Sequence, residues 1–101
     1  MNKVEKFLFD AGVKMSLKGF EPLKQIIELE LDEPDVGLCD LMNQVAKENG
    51  VTFSRLERSV RYAIQSCEMN EEVSRFFNGK KKVTNKVFVK TAVYAIKNNL
   101  V

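Results

Sequence analysis

Between Ser54 and Gln65 the chain gathers Arg55, Arg58 and Arg61, the carboxylate of Glu57, the phenol of Tyr62, and the small polar groups of Ser54 and Gln65. An arginine fork fits O6 and N7 of guanine, and a carboxylate accepts from the amino group of cytosine. Hydroxyls, amides and further arginines hold phosphate oxygens. The chemistry on offer is recognition of a nucleic-acid duplex, not the making or breaking of bonds. The rest of the chain adds nothing catalytic. It has no histidine, no paired carboxylates at a cleft-forming spacing, no phosphate-binding glycine loop and no nucleophile motif, so an enzyme finds no support. No cofactor is expected. With no histidine and no Cys-x-x-Cys, neither is a zinc site.

These side chains need a helix to present them. Phe53, Leu56, Val60, Ala63, Ile64 and Cys67 recur at three- and four-residue spacing, which predicts one amphipathic helix over residues 52–67. At about 100° per residue, Ser54, Arg58, Arg61 and Gln65 fall on the opposite face, flanked by Arg55, Glu57 and Tyr62. From this helix alone, the competing reading is a solvated face on a core helix. The preceding residues favour recognition. Leu38, Leu41, Met42, Val45 and Ala46 mark a second helical face, and Asn49-Gly50-Val51-Thr52 follows. Asn or Gly can take the left-handed conformation that ends a helix, and Thr52 can cap the next one. Helix, short glycine-containing turn, and helix with an arginine face make the outline of a helix-turn-helix, with Ala46 expected where the two helices approach closely.

The whole chain has 101 residues, 45% of them apolar, which suits a single compact domain with one core. Its net charge of +2 is small, but the distribution is uneven. Residues 21–48 hold eight acids against two lysines, and residues 73–101 hold seven bases and no acid. Such polarity suits a protein with one face toward a polyanion. No apolar run approaches a membrane span, and the N-terminus lacks the form of a signal peptide, so the expected location is the cytoplasm. Cys39 and Cys67 are read as small buried hydrophobes in a reducing compartment.

The expected fold is all-α, with about six helices. A first helix runs from Asn2 to Ala11 and ends at Gly12. Val13 to Gly19 is read as a short extended connector whose apolar residues alternate into the core; its lysines are alternative phosphate contacts. A second helix spans Phe20 to Leu31, with Pro22 tolerated in its first turn. The acids of Asp32-Glu33-Pro34-Asp35 are read as a solvated loop. After the helix-turn-helix, Asn70 caps a short helix that Asn78-Gly79 stops. The Lys80-Lys81-Lys82 triplet follows without neighbouring acids, so Lys81 and Lys82 are candidate phosphate contacts. Thr84 caps a last helix whose apolar arc, widened by Val83, Val89, Val93 and Tyr94, exceeds the needs of one small domain. That surplus points to a dimer contact.

Ser54-Arg55-Leu56-Glu57-Arg58-Ser59-Val60-Arg61-Tyr62-Ala63-Ile64 resembles the recognition helix of the sporulation initiation response regulators of endospore-forming Firmicutes, where the pattern is Ser-Arg-Val-Glu-Arg-Ala-Ile-Arg-His-Ala-Ile. Ala11-Gly12-Val13, Leu17-Lys18-Gly19-Phe20, Val45 to Asn49 and Thr84-Asn85-Lys86-Val87-Phe88 are similar to further segments of that family, in the same order. The resemblance implies an all-helical DNA-binding effector domain, two copies of which bind in tandem to boxes related to TGTCGAA. Carried over by position, Arg58 pairs with a guanine, Glu57 accepts from a cytosine, and Arg55 and Arg61 hold phosphates. Tyr62, at the edge of the base contacts, stands where the family has histidine. Ser54, Gln65, Lys81 and Lys82 complete the expected phosphate contacts. The partners this implies are double-stranded DNA, a second copy of the chain and RNA polymerase, with no membrane. The family carries an N-terminal receiver domain that the 101 residues lack. If they are the whole protein, the expectation is a stand-alone regulator governed by abundance, dimerisation or a partner. The rival is an interaction module that pairs with a full-length regulator and no longer reads DNA.

Overall fold

Four of the helices begin at a side chain that replaces a missing turn. The oxygens of Asn2, Thr52, Asn70 and Thr84 accept from the backbone N–H three residues on, at 2.8, 3.2, 2.8 and 3.2 Å. At Asn2 the arrangement is reciprocal, because Glu5 returns a bond to the Asn2 backbone N–H at 3.0 Å. That bond holds the Glu5 carboxyl below its usual range. In this computed structural model, which describes residues 1–79 and 82–101, the helices are α1 (Lys3–Asp10), α2 (Phe20–Asp32), α3 (Leu38–Glu48), α4 (Phe53–Gln65), α5 (Glu71–Phe76) and α6 (Asn85–Lys97). No strand occurs among the described residues.

Four of the six stops follow one rule. After α3, Gly50 takes φ +67, its N–H bonds to the Lys47 carbonyl at 3.2 Å, and the Val51 N–H reaches the Ala46 carbonyl at 3.0 Å. This paired closure satisfies carbonyls the helix leaves open and turns the chain sharply. The same closure ends α1 at Gly12, α5 at Asn78 and α6 at Asn99, all with positive φ.

α2 is the hub, in contact with α1, α3, α4 and α6. Leu23, Ile26 and Ile27 are fully buried along it. Phe88 of α6 is equally buried and joins the layers, meeting Phe7 edge-on at 5.9 Å and stacking on Phe77 at 5.5 Å. The Cα radius of gyration, 12.5 Å, matches the roughly 13 Å of a compact chain of this length.

Several expectations change. The connector from Val13 to Gly19 is a succession of turns, not an extended link. The Leu17 N–H bonds to the Lys14 carbonyl and the Phe20 N–H to the Leu17 carbonyl, so Val13 is buried while Met15 faces out. Cys39 is exposed, because α3 buries Leu41, Met42, Val45 and Ala46, and Cys39 lies roughly 90° around the helix from the middle of that face. Cys67 is half-buried, which pushes its thiol upward. Ala46 is buried as expected, but Gly50 has nothing within 4 Å of where a Cβ would sit. Its requirement is backbone conformation, not close approach. Glu30 is an unforeseen buried carboxylate, paired with Lys90 across α2 and α6, with one oxygen lacking a hydrogen-bond partner.

Candidate nucleic-acid interface

The inner face of α4 is closed by Leu56, Val60, Ala63 and Ile64. Two close approaches fix how the helix lies. A Cβ at Gly19 would stand 2.2 Å from the Ser59 carbonyl oxygen, and one at Gly12 would stand 2.1 Å from that of Glu68, just past the helix end. Both glycines bring backbone against backbone where any other residue would collide. On another side, the Asn85 amide of α6 donates to the Glu57 carbonyl at 3.3 Å. α4 is therefore held by α3, by the α1–α2 connector and by the start of α6.

Its outer face carries the expected side chains. Ser54, Arg55, Arg58, Arg61, Tyr62 and Gln65 are exposed, and Glu57 is partly so. Tyr62 is 63% exposed, too open to be packing for the core. Arg61 pairs with Glu57 at 2.9 Å, with 46% and 39% of the two side chains exposed. A surface pair of this spacing contributes only about 0.2–0.5 kcal/mol to the helix, so its main effect is to orient two polar groups side by side. The Arg58 Nε donates weakly to the Ser54 carbonyl at 3.4 Å.

The tertiary fold adds neighbours that lie far away in sequence. Arg55, Arg58 and Tyr62 share a groove with Leu17, Lys18 and Gly19 of the connector. Glu57, Arg61 and Gln65 share another with Lys82, Val83, Thr84, Asn85 and Lys86. Between the two, Ser54, Glu57, Arg58 and Arg61 line a third depression with Phe53. Lys82, a candidate phosphate contact, is thus brought to α4, whereas Lys81 lies outside the described residues. Lys86 was not singled out by the sequence. Its one available signal was its position in the segment that follows the Thr84 cap, and periodicity cannot say which other helix that segment meets.

A helix with a cation-rich outer face, a rigid seat and basic grooves on both flanks is suited to a polyanion. The family model described as sporulation initiation factor Spo0A C terminal matches residues 4–96. The chain belongs to this family. It binds DNA, and the family is one of regulatory domains in transcription and sporulation rather than of enzymes. Among the described residues, no helix is long and apolar enough to cross a membrane.

Proposed function

We propose that residues 1–101 act as one sequence-specific reader of double-stranded DNA in transcriptional control, with α4 in the major groove. The observation that carries this is the outer face of α4, where Arg58 stands exposed near the middle, with Glu57 partly exposed to one side and Tyr62 exposed to the other, on a helix whose other side is locked. Arg58 reads a guanine, Glu57 accepts from a cytosine, and Tyr62 touches the edge of the site. Ser54, Arg55, Arg61, Gln65 and Lys82 hold phosphates. The rival module that no longer reads DNA has no need of an exposed Glu57, Arg58 and Arg61. Pairing of two copies through α6 is part of the proposal. It is supported by Val87 and Tyr94, which stay 43% and 63% exposed after Val89 and Val93 are buried in the core. RNA polymerase is the further partner that a transcriptional role calls for.

A mobility shift tests the reading, using the 101-residue chain, duplexes with one or two TGTCGAA-like boxes, and two salt concentrations. Box-preferring binding without a phosphodonor is expected. Arg58→Ala should cost about 1–3 kcal/mol and relax preference at its base. Sequence-indifferent binding that vanishes with salt and ignores Arg58 would leave only a basic surface, and the interaction-module reading would replace this one.

A further inference from the structure

The two grooves beside α4 differ in origin but share a plan. Each contains lysine from a segment outside the helix-turn-helix. Each is also tied to the α4 backbone at one point. Lys18 adjoins Gly19, whose missing side chain admits the Ser59 carbonyl. Lys86 adjoins Asn85, whose amide donates to the Glu57 carbonyl. At about 100° per residue, Arg58 lies near the middle of the outer face of α4. The Lys18 groove opens beside Arg55 and Tyr62 on one side of it, and the Lys86 groove opens beside Glu57 and Arg61 on the other.

A helix with its side chains is about 10–12 Å across, and the major groove is about 12 Å wide. A helix seated there fills the groove, so whatever flanks it on each side meets a phosphate backbone. The two backbones belong to different strands. Cations on one side alone would let the helix tip. Cations on both sides, at fixed offsets from its backbone, set its depth and roll.

Resting on the DNA-binding reading above, we infer that Lys18 and Lys86 hold the phosphates of opposite strands across one major groove. Gly19 and Asn85 act as positioning residues that fix these two lysines relative to α4. Neither lysine touches a base, so both act on affinity and orientation, not on sequence preference.

The test is a salt titration of the full chain on a boxed duplex, with Lys18→Gln, Lys86→Gln and Arg58→Ala compared with the unaltered protein. Each lysine variant is expected to lower the slope of log K against log salt by about 0.9 while keeping base preference. A patch of neutral methylphosphonates beside the box on one strand should erase the Lys18→Gln effect and leave the Lys86→Gln effect. The patch on the other strand should do the reverse. Asn85→Ala should match the Lys86→Gln slope, and adding Lys86→Gln to it should change the slope no further. Unchanged slopes in both lysine variants, or a single patch that silences both, overturns the inference while box preference still supports the DNA reading. Loss of box preference in the unaltered protein removes that reading and this inference together.

Discussion

α4 and α6 are built alike and used differently. Each has 13 residues, and each starts at a threonine whose hydroxyl caps the third residue on. Each also buries an apolar face. What each shows to the outside differs. α4 exposes three arginines with one carboxylate among them, while α6 exposes Val87 and Tyr94 beside Lys86, Lys90 and Lys97. The contrast lies in the fit between apolar residues and buried area. Apart from Tyr62, the apolar residues of α4 are turned into its seat on α2, α3 and α6. α6 has more of them than its seat can cover, even with Phe88, Val89, Ala92, Val93, Ala95 and Ile96 all buried. One outer face is left rich in cations and the other partly apolar.

The contrast breaks most easily from the inside. Phe88→Ala removes the ring that joins Phe7 and Phe77, and should cost about 3–5 kcal/mol of stability. Chemical denaturation should show it, and α4 and α6 should be lost together because both rest on one core. Gly19→Ala should act more selectively. Its methyl group would press on the Ser59 carbonyl, an overpacking that costs about 1–3 kcal/mol. DNA affinity should fall further than denaturation alone accounts for, because the displaced element is α4 itself.

The caps sharpen the comparison at smaller cost. Thr52→Ala and Thr84→Ala should each lower stability by about 1 kcal/mol, which thermal melts can compare directly. Fraying at Thr52 should weaken DNA binding, since Ser54 and Arg55 sit in the first turn. Fraying at Thr84 should weaken it through Asn85 and Lys86. Smallest in stability is the double change Val87→Ser with Tyr94→Ser, expected within about 0.5 kcal/mol because both sites are exposed. Binding to a one-box duplex should survive it, while light scattering on a two-box duplex should show single copies instead of pairs. Unchanged pairing would remove α6 as the dimer contact.

Much of this was legible in the chain. Capping side chains sit next to the four helices they start, glycine or asparagine sits next to the four it ends, and apolar spacing marks the remaining bounds, so six helices could be placed to within a few residues. The outer face of α4 was legible for the same reason, since residues three and four apart share a face wherever a helix forms. Cys39 lies to the side of the α3 apolar stripe, and helical spacing alone accounts for its exposure. Met15 shows where such reading stops, because it fits an alternating pattern that the turns of the connector break. Glu30 is the converse, a charge in a helix made buried by the approach of α6.

The sequence by itself determined the helices, their ends and the side chains that α4 turns outward, because these depend on interactions within a few residues along the chain. Only the tertiary structure decided that Lys18 and Lys86 border α4 from opposite sides, that Gly19 and Asn85 hold them there, and that Val87 and Tyr94 remain uncovered. Those outcomes follow from how apolar faces of limited area pack around α2, and packing brings together segments whose separation in sequence carries no record of the contact.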